Sequence, residues 1–189
     1  MSDFRVFIGG SAGSIAPISS ILSSLPADFN MIITVVIHSS ADSKTSMTEA
    51  LANNCKLTVI EISDKEHPIP NTVYVAPSGY HLYAENNNQF SLSVDKKVHF
   101  SRPAIDVTFT SAAEVFGKYC IAILFSGANE DGAEGLLNVK RHGGLTIVQS
   151  PASSAVSIMP QSAIDNGAAS KVLLPIEISD LLLKYNDLV

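Results

Sequence analysis

Residues 31–37 read MIITVVI, and two other short runs, 4–8 and 120–125, are almost as free of polar side chains. A strand with one solvated face alternates apolar and polar residues. Unbroken apolar character means burial on both faces, the condition of a parallel sheet covered by helices. Between such runs the spacing turns helical, as in Ile15, Ile18, Ile21, Leu22 and Leu25. The reading is strand 4–8, helix 15–25, strand 31–37, helix 45–53 and strand 57–62. An apolar run at 73–76 and strands 82–84 and 90–94, the last two separated by Glu85-Asn86-Asn87-Asn88-Gln89, read as an antiparallel hairpin excursion. Pro103 is placed in the first turn of a helix reaching residue 116, where its missing N–H is tolerated. Strand 120–125, helix 132–142, strand 145–148, helix 159–165, strand 171–174 and helix 176–185 follow. This order predicts one domain over 1–189. Its expected fold is α/β, three-layer and doubly wound, a mostly parallel sheet with an antiparallel hairpin addition. Sites in such folds lie at the carboxyl edge of the sheet.

Composition removes several classes of function. With 46% hydrophobic and 16% charged residues in 189, the chain is not a disordered one. No apolar run approaches the roughly 20 residues of a membrane helix, so a protein not inserted in a membrane is expected. Ser2-Asp3-Phe4-Arg5 leads straight into a core strand rather than a secretory leader, and a cytoplasmic location is expected. The net charge is −6 and Lys and Arg are not clustered, which argues against nucleic acid as a partner. Cys55 and Cys120 lack the paired spacing of zinc or redox motifs and are expected to be reduced and structural.

The first strand runs into Gly9-Gly10-Ser11-Ala12-Gly13. A dinucleotide fingerprint fails here, because no G-x-G-x-x-G can be read and the second strand ends in His38 rather than an acid. A P-loop fails too, since no Gly-Lys-Ser/Thr follows. The pentapeptide does fit G-x-S-x-G between strand and helix, the setting of a nucleophile elbow. Ser11 is then a candidate nucleophile, facing the unpaired N–H groups of the helix behind it; the plainer alternative is that it caps that helix.

A serine hydroxyl needs a base, and five histidines are available. His142 closes a helix next to Gly143-Gly144. His67 and His99 lie in polar, proline-flanked stretches, and His81 opens the hairpin region. His38 stands apart because it ends the second strand at the carboxyl edge, as Ser11 ends the first. A carboxylate is needed to orient the ring. Asp131 follows strand 120–125 on the same edge, although with Glu134 it also resembles a capping box. Glu130 is a rival in the same loop, and Asp42 and Asp106 are less well placed. The order Ser, His, Asp differs from the Ser, Asp, His order of α/β hydrolases.

These residues resemble the catalytic domain of chemotaxis-type protein-glutamate methylesterases, which also deamidate glutamine. The likeness runs along nearly the whole chain. It is carried by Ile8-Gly9-Gly10-Ser11 with Gly13, His38, Val75-Ala76-Pro77 with Gly79 and His81, Arg102-Pro103 with Asp106-Val107, Gly127 with Asp131-Gly132, and Met159-Pro160. The resemblance implies Ser11 as nucleophile, His38 as base, Asp131 as orienting acid and the Ala128 N–H as an oxyanion donor, no cofactor or metal, and a methyl-accepting chemoreceptor as substrate. The elbow itself nominates the Ala12 N–H as a further donor. Ala12, Ser14, Ala128 and Glu130 depart from the residues usual in the family, and Ser39-Ser40-Ala41 lacks its proline-rich stretch. Those departures leave a catalytically weakened interaction module as an alternative, and a small-molecule carboxylesterase is a further one.

Overall fold

The computed structural model describes residues 4–38 and 46–187. In chain order they form β1 (Arg5–Gly10), α1 (Ile15–Ser24), β2 (Ile32–Ile37), α2 (Met47–Ala52), β3 (Thr58–Glu61) and β4 (Thr72–Val75). The hairpin β5 (His81–Glu85) and β6 (Gln89–Ser93) follows, then α3 (Ile105–Phe116), β7 (Cys120–Leu124) and α4 (Ala133–Arg141). The chain ends through β8 (Leu145–Gln149), α5 (Ile158–Asp165), β9 (Lys171–Leu173) and α6 (Pro175–Asn186). Seven strands make one parallel sheet in the order β3-β4-β2-β1-β7-β8-β9, and β5 and β6 pair antiparallel as a separate two-stranded sheet.

The alternation of side chains in each strand divides the interior into two halves. Phe7, Val36, Ala122 and Leu124 point to one face, where Ile105 and Phe109 of α3, Leu136 and Val139 of α4, Ala163 of α5 and the hairpin's Leu82 and Phe90 cover them. Val6, Ile8, Val35 and Ile123 point to the other, under Ile18 and Leu22 of α1, Leu51 of α2 and Ile178 and Leu182 of α6. Burying a side chain of this size contributes about 1.5–3 kcal/mol, so sheet and helices hold one another in a doubly wound sandwich. Among the described residues no helix is long and apolar enough to cross a membrane.

Two sequence expectations are corrected. Residues 73–75 belong to the parallel sheet as part of β4, not to the hairpin; the run TVYV is buried throughout, which only an interior strand allows. Pro103 is not in the first turn of a helix, since α3 starts at Ile105 behind an extended Ala104. Two amides at that start, those of Ile105 and Asp106, are satisfied by a side chain from elsewhere in the chain.

β1 is central, with β2 on one side and β7 on the other. The chain leaves β1 toward one face through α1 and leaves β7 toward the opposite face through α4. Their carboxyl ends therefore flank the crevice that a doubly wound sheet opens at its switch point.

Candidate active site

At the end of β1 the chain is held from several sides. The Ser11 N–H donates to Ser126 O at 2.9 Å, and both the N–H (3.1 Å) and hydroxyl (2.7 Å) of Ser14 donate to Ser11 O. Ser126, fully buried after β7, donates its hydroxyl to Ala12 O at 2.7 Å and accepts the Val156 N–H at 2.9 Å. Gly13 has φ +79°, and a Cβ there would lie 2.5 Å from Ala155 Cβ. Only glycine lets the turn press this closely on the 155–156 segment. Ser14, not Ser11, occupies the helix N-cap position. The half-buried Ser11 hydroxyl makes no hydrogen bond to any described residue, so the capping alternative does not describe it. Ala12 and Ala128 are exposed residues, and their amides donate to no acceptor among the described residues.

β1 and β2 are paired in register, Gly10 opposite Ile37, and the His38 N–H donates to Gly10 O at 3.2 Å. Ser11 and His38 are thus neighbours across the two strand ends. His38 Nε2 donates to Asp131 Oδ2 at 2.7 Å, which leaves the Nδ1 lone pair open to a hydroxyl. Ser101 Oγ lies 3.4 Å from that Nδ1.

Asp131 is completely buried. Besides the imidazole it accepts the Ile105 N–H on Oδ2 at 2.7 Å and the Asp106 N–H on Oδ1 at 2.9 Å, the first amides of α3. Burial pushes its carboxyl up, but the His38 hydrogen bond and the two amides outweigh burial and hold it below the usual carboxylate range. The capping box with Glu134 does not form. Gly132, at φ +93°, is the N-cap of α4, and the amides of Gly132 and Gly135 go instead to Asp106 Oδ1 at 2.9 and 2.7 Å. Each helix start is satisfied by the carboxylate that precedes or opens the other.

Asp106, less well placed than Asp131 in the sequence, and His99, one of the weaker candidate bases, both come to lie beside Asp131. His99 Nε2 donates to Asp106 Oδ2 at 3.0 Å, and His99 Nδ1 is 3.8 Å from Glu130 Oε1. His99, Asp106 and Asp131 carry ligand-type atoms within 4.8 Å of one another, yet amides and imidazoles already occupy the carboxylates. Burial, reinforced by the Asp131 charge, raises the Asp106 carboxyl to about 6 against the pull of the Gly135 and Gly132 amides and His99. A carboxyl at about 6 when folded and ~4 when unfolded binds its proton more tightly in the folded state. Its ionisation therefore opposes folding above that pH, and the opposition is relieved as pH falls through 6 toward 4. Asp106→Asn keeps an acceptor for both glycine amides while removing the charge. The urea midpoint of the wild type is expected to rise relative to Asp106→Asn between about pH 8 and about pH 5; parallel midpoints would refute this.

The remaining candidates serve the scaffold. His81 is buried between Lys96 O and the Ala104 N–H, His67 binds Asn88 O, and His142 ends α4. Arg102 donates to the carbonyls of Val94 and Asp95. Cys55 and Cys120 are free thiols, both pushed up by burial. Asp42 and Ser39-Ser40-Ala41 lie outside the described residues. Ser126 and Ser101 were missed; the signal for Ser126 was a polar residue ending an otherwise apolar run.

Fold and edge chemistry together are those of a hydrolytic α/β enzyme domain. The family model for CheB methylesterase matches residues 6–182, and the chain belongs to the CheB methylesterase family. A Leptospira interrogans protein that carries the name protein-glutamate methylesterase/protein-glutamine glutaminase is 39% identical over 181 residues, covering 96% of this chain and 94% of its own. FrzG of Myxococcus xanthus, a protein-glutamate methylesterase, is 35% identical, and the match takes in 96% of this chain but 54% of FrzG. The crystal structure of the Thermotoga maritima CheB methylesterase catalytic domain superposes with a TM-score of 0.92 at 34% identity, all of both chains being covered.

Proposed function

We propose that this chain is a serine hydrolase that demethylates glutamate γ-methyl esters, and deamidates glutamines, on helices of chemoreceptor proteins in the cytoplasm. The observation that carries the reading is the pairing of His38 Nε2 with buried Asp131 while His38 stands beside Ser11 in strand register. That pairing leaves the basic Nδ1 turned away from the carboxylate, on the side where Ser101 Oγ lies at 3.4 Å.

In the proposed reaction Ser11 Oγ attacks the ester carbonyl as Nδ1 takes its proton. The contact with Ser101, at 3.4 Å, is long enough to be exchanged readily for Ser11 when substrate enters. The tetrahedral oxygen is received by the Ala12 and Ala128 N–H groups. Nδ1–H then protonates the departing methoxide, giving methanol, or the departing amine of a glutamine, giving ammonia. Water, deprotonated by the same nitrogen, hydrolyses the acyl-enzyme to glutamate and free Ser11. Asp131, held ionised by its amides, stabilises the imidazolium formed in each half-reaction.

The reading is tested with membranes bearing methylated chemoreceptors and with a fluorophosphonate probe. The wild type is expected to release methanol and to be labelled at Ser11, with labelling lost in His38→Ala. Labelling that persists in His38→Ala, or no methanol release, would overturn it.

A further inference from the structure

We propose that the tight turn joining Val98 to Ser101 grips the protein substrate, with Phe100 as an apolar anchor that meets a side chain one helical turn from the esterified glutamate. This rests on the hydrolysis of a helix-borne ester proposed above. Phe100 is 97% exposed, the most exposed of the large hydrophobic side chains described; Val94 follows at 66%. A ring left entirely in water adds nothing to the core.

The turn is nevertheless rigidly built. Val98 and Ser101 exchange backbone hydrogen bonds of 3.2 and 2.8 Å, and His99 is moored to Asp106 Oδ2 at 3.0 Å. Just beyond, Arg102 donates to Val94 O at 2.7 Å and Asp95 O at 2.9 Å. His99 and Phe100 are both left-handed, at φ 47° and 61°, in a two-residue connection of the kind that Asn-Gly ordinarily fills. Folding alone favours small residues at both positions. A bulky ring held in that conformation and fully presented to solvent serves a contact made outside the chain.

Its position says which contact. The neighbouring Ser101 hydroxyl is 3.4 Å from His38 Nδ1, and consecutive Cα atoms are about 3.8 Å apart. Phe100 is thus the exposed neighbour in the chain of a residue at the crevice, and in the proposed complex the helix that carries the ester passes over its ring. On a helix, side chains three or four residues apart lie about 5–6 Å from one another. The occupant is thus an amphipathic helix with an apolar residue at that spacing from the ester. The acidic residues beside the turn, Asp106 and exposed Glu130, disfavour a free carboxylate there and so favour the neutral ester over its product.

The test compares wild type, Phe100→Asn, Phe100→Ala and Phe100→Leu on methylated receptor membranes and on the small ester N-acetyl-glutamate γ-methyl ester amide. Asparagine suits a left-handed residue, so Phe100→Asn keeps the turn while removing the ring. Expected is a rise of about tenfold in KM for the receptor in Phe100→Asn and Phe100→Ala, with kcat nearly constant. The ratio of receptor to small-ester kcat/KM falls by the same factor, and Phe100→Leu restores most of it. A receptor KM within about twofold of wild type in Phe100→Asn, or equal losses on both substrates, would overturn the inference. A wild type that hydrolyses neither substrate refutes the hydrolase reading itself, and one that hydrolyses only the small ester refutes the protein substrate.

Discussion

Ser11→Ala is expected to lower kcat for methanol release by about 10⁴- to 10⁶-fold while leaving thermal stability nearly untouched. The two effects separate because of how the turn is held. Its hydrogen bonds at this residue run through the main chain, from Ser11 N–H to Ser126 O and from Ser14 to Ser11 O. The hydroxyl has no partner among the described residues, so deleting it orphans no buried group, and the stability change should stay within ~0.5 kcal/mol. Residual turnover then measures what substrate binding and the amides of Ala12 and Ala128 supply without a nucleophile. Ser101 gives the needed counterpart, because its hydroxyl is the one that lies 3.4 Å from His38 Nδ1. Ser101→Ala should retain fluorophosphonate labelling and methanol release. If instead Ser101→Ala is inactive and Ser11→Ala keeps wild-type kcat, the nucleophile has been assigned to the wrong hydroxyl. Methanol release and thermal unfolding of the two variants decide the matter.

What could be read ahead of the structure follows from the range over which each signal acts. The run IITVVI carries its own burial pattern, because being apolar on both faces is a local property, and it becomes the interior strand β2. The glycines around Ser11 likewise announce a sharp turn, and two strand ends known to lie on one edge bring Ser11 and His38 together once the strands pair. The carboxylates behave differently. Locally, Asp131 and Glu134 look like a cap for α4, but Asp131 turns to the first amides of α3, 26 and 25 residues earlier, and Asp106 takes the α4 amides in return. Nothing in either stretch announces an exchange that depends on two helix starts facing each other. His99 is hidden for the same reason, since its relevance comes from Asp106 and from a left-handed turn that the residues His99-Phe100 do not favour. Pro103 misleads because proline suits a helix start generally, whereas here a distant carboxylate defines the first turn at Ile105.

The same exchange makes Asp131→Asn the second large effect, on both activity and stability. The carboxylate receives three donors, two on Oδ2 from His38 and Ile105 and one on Oδ1 from the Asp106 N–H. An amide has one acceptor oxygen, so its NH₂ must face either the Asp106 N–H or the His38 and Ile105 pair. Both orientations leave a buried donor unmet, at about 1–3 kcal/mol. For a domain of this size that corresponds to a fall in Tm of about 2–12 °C. If the NH₂ faces His38, Nε2 becomes an acceptor and the ring carries its proton on Nδ1, where it cannot take one from Ser11. If the oxygen stays, the imidazolium still loses its counter-charge. A loss of about 10⁴-fold in kcat is expected by analogy with other serine triads. Because the Asp131 carboxyl is held below its ordinary range, its contribution to stability is present above the unfolded pKa of about 4 and disappears as pH falls through the lower folded value. The stability gap between wild type and Asp131→Asn, measured by urea unfolding, should therefore narrow as pH falls below about 4. A gap that does not narrow below about pH 4 would mean that the imidazole and amides do not hold this carboxylate ionised, and the base at His38 would lose the support on which its role depends.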